Sequence, residues 1–136
     1  MIVEKYPYVM CSAKKDSDII FAEFPNNLKI NLAVAKEIVA NRLDFAKNKE
    51  HYVIIDVSNV REISTEAKEY MQRPDTGQKN VLGVAFLATN PVSALIANIF
   101  IKTQKDFQAR CFSKKEDAVE WIMEYKKMVN RKLNGQ

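Results

Sequence analysis

Glycine is scarce in this chain of 136 residues, which carries three copies at positions 77, 83 and 135 and no cluster of them. A loop that cradles phosphate needs several glycines close together, so nucleotide-binding loops of that kind are excluded. Histidine occurs once, as His51, and cysteine twice, as Cys11 and Cys111, with no metal-ligand spacing around either. Such a set supports no zinc site, and two widely separated cysteines read as free thiols rather than a disulfide framework. Long apolar runs are missing too. The most apolar segment, residues 92–101, is interrupted by Ser93 and Asn98 and is far too short to span a bilayer. The first seven residues, Met1-Ile2-Val3-Glu4-Lys5-Tyr6-Pro7, hold no apolar region of the signal-peptide type. The expectation is a cytoplasmic protein with no cofactor, no metal and no integral membrane segment.

What is present fits one domain spanning residues 1–136, with 47% hydrophobic and 28% charged residues. The formal net charge is +4, and much of the excess sits in Lys114, Lys115, Lys126, Lys127, Arg131 and Lys132. Apolar residues interleave with these cations, which suits the solvated face of a helix whose last turns complement its dipole. Without exposed aromatics among the basic residues, nucleic acid is not an expected partner.

Tyr6–Ala13 and Ile19–Phe24 read as two strands around a polar hairpin loop, and Pro25-Asn26-Asn27 ends the second. Asn31 is placed to cap a helix running from Leu32 to about Lys47, with Leu32, Ala35, Val39, Leu43 and Ala46 inward and Arg42 outward. Val53-Ile54-Ile55 is a β-branched run of the buried-strand kind, and a polar turn leads from it to a short helix over Glu66–Gln72. Val81–Ala88 reads as another buried strand. Asn90-Pro91 opens the next helix, with the proline at a position where its missing N–H costs nothing. Phe107–Phe112 makes a last strand, and Ser113-Lys114-Lys115-Glu116 has the form of a capping box before a helix with Ala118, Ile122, Tyr125 and Val129 inward. The order β-β-α-β-α-β-α-β-α predicts a single-domain α/β fold, a mixed sheet of about five strands with helices packed on it.

Ligands of such sheets collect at the carboxyl ends of the strands. Three junctions supply short polar side chains there: Asp56, Ser58, Asn59, Ser64 and Thr65; Thr89, Asn90 and Ser93; and Ser113. Each offers helix N–H groups and hydroxyls or amides that suit an anion; the same residues also suit simple capping of their own helices. A catalytic set does not assemble. His51 falls at the opposite end of its strand and reads as a surface loop residue, and Asp56 lacks a partner to tune it.

The pattern Val53-Ile54-Ile55-Asp56-Val57-Ser58-Asn59-Val60, followed by Ile63-Ser64-Thr65-Glu66-Ala67, resembles the core of STAS domains, the fold of anti-sigma factor antagonists. The hairpin start, the Val81–Ala88 strand and Asn90-Pro91-Val92-Ser93 are similar to single-domain bacterial proteins of STAS/SEC14-like type. In the antagonists the strand-to-helix turn reads Asp-Ser-Ser-Gly, and its first serine accepts a phosphoryl group from a partner kinase. Aligned on this chain, Ser64 stands for the aspartate, Thr65 for the acceptor serine, Glu66 for the second serine and Ala67 for the glycine. The resemblance implies a non-catalytic regulatory module that docks an anti-sigma or kinase-like protein partner, with Thr65 as phospho-acceptor and Glu66 in the docking junction. The SEC14-like side implies instead a small apolar or lipid-like ligand held between the 92–101 helix and the sheet. That helix adds a further expectation. With Val92, Leu95, Ile96, Ile99 and Phe100 turned to the core, Ala94, Ala97 and Ile101 form a small-residue back face suited either to a symmetric homodimer or to full burial of the helix in a three-layer fold.

Overall fold

The computed structural model describes residues 1–135. Eight strands and four helices follow in the order β1 (Ile2–Lys5), β2 (Met10–Ala13), β3 (Ile19–Glu23), β4 (Leu28–Ile30), α1 (Leu32–Phe45), β5 (His51–Asp56), β6 (Val60–Ile63), α2 (Thr65–Gln72), β7 (Val81–Leu87), α3 (Pro91–Thr103), β8 (Ala109–Phe112) and α4 (Lys115–Leu133). Six strands form the main sheet in the order β1-β2-β3-β5-β7-β8, and β4 pairs with β6 in a separate two-stranded ladder. The sheet is mixed as expected: β2 runs antiparallel to its neighbours β1 and β3, while β3, β5, β7 and β8 are parallel.

Alternation along the strands divides the interior into two layers. Ile20, Ala22, Val53, Val84 and Phe86 face a layer closed by Ala35 and Ile38 of α1, Ala67 of α2 and Ile96 and Phe100 of α3. Tyr52, Ile54 and Ala85 point the other way, against Ala118, Ile122 and Tyr125 of α4. Tyr125 comes so close to β7 that a Cβ on Gly83 would sit 2.4 Å from its Cε2, so only glycine fits there. The Tyr125 hydroxyl also accepts the Gln108 N–H at 3.1 Å, which ties α4 to the start of β8.

Several expectations need correction. The sheet has six strands rather than about five, with a further ladder beside it. β1 lies wholly exposed at the sheet edge, and β6 carries the exposed charges Arg61 and Glu62, so neither shows the apolar signature of a buried strand. Arg42 is buried rather than outward, because it falls on the same helical stripe as Ala35, Ile38 and Val39. His51 is not a surface loop residue: it is the first residue of β5 and only 1% exposed. Ser113 does not cap α4, whose N-cap is Lys114 with no side-chain cap bond; Glu116 and Asp117 supply the first-turn negative charge instead.

α3 is also rotated from the expected orientation. Ser93, Ile96, Ala97 and Phe100 are its buried residues, Ala94 and Ile101 pack on the same core, and Val92 and Leu95 stand 53% and 66% exposed. Ala97 is thus fully buried and Ala94 and Ile101 are half-buried against the core, so this face is not the expected outward back face. Small residues are selected here by close approach of α3 to its neighbours β6 and β8.

Candidate functional site

The carboxyl ends of β5 and β7 are joined by a continuous set of hydrogen bonds. Asp56, the last residue of β5, turns its Oδ1 back to accept the Ser58 N–H at 3.0 Å. Ser58 then bridges to the next strand: its Oγ accepts the Thr89 N–H at 3.2 Å and its carbonyl accepts from Asn90 Nδ2 at 2.9 Å. Asn59 reaches the other neighbour and donates from Nδ2 to the Phe24 carbonyl at 3.1 Å. Asn90 and Ser93 close a capping box at α3, in which Asn90 Oδ1 accepts the Ser93 N–H at 2.9 Å and Ser93 Oγ accepts the Asn90 N–H at 3.3 Å. The expected junction thus brings Asp56, Ser58, Asn59, Asn90 and Ser93 together. Above them lies a shallow polar opening of about 390 Å³, bordered by Asn26, Asn27, Asn59 and Arg61.

Ser64, Thr65 and Glu66 stand apart from that cluster. Ser64 is held by two bonds, its N–H donating to the Ile30 carbonyl at 2.9 Å and its Oγ accepting the Ala67 N–H at 3.2 Å, so it caps α2. Thr65 is the first residue of α2 and Glu66 follows it, both exposed. Among the described residues no hydrogen bond holds the Thr65 hydroxyl, and none links this turn to the Ser58–Asn90 set.

A second polar constellation escapes sequence reasoning altogether. Arg42 projects from α1 under the β5–β7 end of the sheet opposite the strand-end cluster. Its Nε donates to His51 Nε2 at 3.1 Å, and its two terminal nitrogens donate to the carbonyls of Gly77 and Lys79 at 3.0 and 3.2 Å. His51 Nδ1 lies 2.8 Å from the Lys49 carbonyl, so the ring carries its proton on Nδ1 and accepts on Nε2. Burial holds the imidazole far below its usual range, at about 4; the Lys49 carbonyl opposes this shift and the neighbouring guanidinium adds to it. Burial likewise brings Arg42 down to about 10. The pair clamps the loop after α2 onto β5, a structural duty. The signal that could have found it is the helical spacing of Arg42 from Ala35, Ile38 and Val39.

The space between the sheet and α3, lined by Phe24, Ile38, Val53, Phe86, Ile96 and Phe100, amounts to about 60 Å³. That is room for about two waters, not for a lipid-like ligand. Cys11 and Cys111 are both free, and burial pushes the Cys11 thiol up to about 11. Among the described residues no group of three His, Cys, Asp or Glu side chains converges as a metal ion would require, and no helix is long and apolar enough to cross a membrane.

Residues 13–126 match a family described as a domain of unknown function, DUF7793. No curated protein matches the chain. Among solved structures, the chain is similar to an uncharacterized protein of the DUF3478 family with a SpoIIAA-like fold from Shewanella loihica PV-4. The TM-score is 0.61 at 13% identity, over 83% of this chain and 90% of that one. The fold is therefore SpoIIAA-like, in agreement with the STAS resemblance read from the strand and turn at residues 53–67.

Proposed function

The chain belongs to the DUF7793 family, and we propose that it is a non-catalytic regulatory module that docks a protein partner, with Thr65 as the point at which its charge is changed. The observation that carries this reading is the contrast between Thr65 and its polar neighbours. Asp56 bonds within its own turn, and Ser58, Asn59, Ser64, Asn90 and Ser93 are each engaged in joining segments or capping helices. Thr65 is exposed at the N-terminus of α2. A phosphoryl group there adds about −1.5 to −2 charge units and three acceptor oxygens to a surface. The α2 amides favour such charge by roughly 0.3–1 kcal/mol, which offsets part of the repulsion from the adjacent Glu66 carboxylate. The buried, clamped state of His51 supports a role without catalysis, since both ring nitrogens are already engaged and cannot move a substrate proton. The partner is an anti-sigma or kinase-like protein, and the free thiols suit a reducing cytoplasm.

Intact-mass and site-mapping analysis of the protein from its native cell, with parallel capture of partners by wild type and Thr65→Asp, tests this reading. Phosphate on Thr65 and a partner captured by only one of the two forms are expected. An unmodified Thr65 across growth conditions, with identical capture by both forms, refutes it.

A further inference from the structure

The two faces of the main sheet are unequally covered. α1, α2 and α3 close one face, whereas α4 alone lies on the other, over β5, β7 and β8. Ile19 and Phe21 of β3 pack at the edge of the α4 layer, Ser12 of β2 is 8% exposed, and β1 beyond them is open. Register places Val3, Ser12, Phe21 and Ile54 in one row across four adjacent strands, and all four line a groove of about 690 Å³ whose other wall is α4. Met1, Val3 and Met123 border it and are 83%, 53% and 47% exposed, unusual for large apolar side chains. Flexible methionines at the edges suit a surface that adapts to a partner.

The dimensions fit a helix. Three strands spaced about 4.8 Å apart present a strip about 14 Å wide, and a helix with its side chains is about 10–12 Å across. The groove is also charged in one sense. Lys14, Lys115, Lys126 and Lys127 line it, against Glu23 as its one carboxylate among the lining residues. Lys115 lies 4.1 Å above the Phe21 ring. Lys126 is held at the rim by Asp18 and Lys127 lies 3.4 Å from Glu124, which leaves Lys14 and Lys115 as the lysines of the groove without a carboxylate partner among the described residues. A second copy of this chain would set lysine against lysine across the contact, which disfavours self-association here.

We infer that this groove binds an acidic amphipathic helix of a partner protein, laid along α4 with its apolar face on the exposed Met1, Val3 and Met123 side chains. The inference rests on the reading of the chain as an interaction module but uses the face of the sheet opposite α2 and Thr65.

The test is an amide chemical-shift titration of the full chain with an 18-residue helical peptide, leucines along one face and glutamates elsewhere. Controls are a shuffled peptide of the same composition and a version with lysine for glutamate. Expected are shifts confined to the surroundings of Val3, Ser12, Phe21, Val119 and Met123, with binding at least tenfold weaker for both controls and in high salt. Met123→Glu and Val3→Glu change exposed side chains, so folding is retained, and each weakens binding at least tenfold. No shift at millimolar peptide, equal binding of the shuffled peptide, or shifts centred elsewhere overturn the inference. So does a dimer in light scattering that Met123→Glu dissolves, or laurate binding in the groove more tightly than the peptide. Thr65→Asp leaves peptide affinity unchanged. Loss of groove binding with intact Thr65-dependent capture removes the groove alone, and the converse removes the Thr65 switch alone.

Discussion

Lowering the pH from 7.5 to 5 should destabilise this protein through one residue, His51. Folded, the imidazole is buried at 1% exposure and titrates near 4; unfolded, it returns to its ordinary value of 6.5. Its folded pKa is depressed, so between these values the unfolded chain binds a proton that the folded chain does not. Stability is therefore fully present above pH 6.5 and is lost as pH falls toward 4. Weighing the two titrations gives a loss of about 2 kcal/mol by pH 5 and about 3 kcal/mol once the window is crossed. The structural cause is plain. Protonating Nε2 turns the acceptor of the Arg42 Nε–H into a second donor facing it across 3.1 Å, between two buried cations.

Urea unfolding followed by Trp121 fluorescence at pH 7.5, 6 and 5 measures the effect, because Trp121 stacks on Tyr125 inside the α4 layer and reports loss of that packing. Carboxylates also titrate toward the lower end of this range, so the comparison is made with His51→Gln. That variant keeps an amide oxygen able to accept from Arg42 but has nothing to protonate. It should be less stable than wild type at pH 7.5 and should lose about 2 kcal/mol less on going to pH 5. Parallel pH profiles for the two proteins refute the reasoning.

Three further outcomes follow from individual contacts. The Tyr52 hydroxyl is buried with no hydrogen-bond partner among the described residues, so Tyr52→Phe should be neutral or stabilising by about 1 kcal/mol in the same urea assay, where a buried hydroxyl normally costs stability when removed. Gly83→Ala puts a methyl 2.4 and 2.7 Å from Tyr125 ring atoms and should cost about 1–3 kcal/mol; Tyr125→Leu in the same chain should return part of that cost, visible as a coupling energy in a double-mutant cycle. Asn90→Ala removes both the α3 cap and the donor to the Ser58 carbonyl, for about 1–2 kcal/mol, whereas Asn90→Asp keeps the cap and loses only the donor, so its midpoint should fall between those of wild type and the alanine variant.

Much of this fold was legible because burial writes itself into composition. β5 and β7 are covered on both faces, and such strands read as unbroken apolar runs. Asn31 and Asn90 stood out because a capping side chain is chosen by local backbone geometry, and both cap as expected. β1 and β6 were hidden for the opposite reason: an exposed edge strand and a strand with two outward charges bury too little to leave a pattern. Arg42 and His51 defeated composition differently. Each is a residue type that is normally placed at the surface, and each is buried because the other satisfies it together with backbone carbonyls, those of Gly77 and Lys79 for Arg42 and that of Lys49 for His51. α3 misled because it is apolar on nearly every side, so the moment of its pattern is weak. Ser93 and Ala97, rather than Val92 and Leu95, are buried because the helix approaches its neighbours closely.

The candidate site shows why residue type at a strand end is an ambiguous signal. Serine, asparagine and aspartate are favoured there whether the task is to bind an anion or to tie neighbouring backbone groups, because the same lone pairs and N–H groups serve both. Only an account of partners separates the two tasks. Ser58 spends its hydroxyl on the Thr89 N–H and its carbonyl on Asn90, and Asn90 spends its side chain on Ser58 and Ser93. A ligand recruited to these groups would have to displace bonds that hold β5 to β7, and the end of the sheet would loosen as it bound. Thr65 carries no such obligation, so charge can be added to it without unfastening the scaffold. A charge added at Thr65, as proposed, is therefore compatible with rigidity through Ser58 and Asn90, while Ser64, bonded to the Ile30 carbonyl and the Ala67 N–H, fixes the first turn of α2.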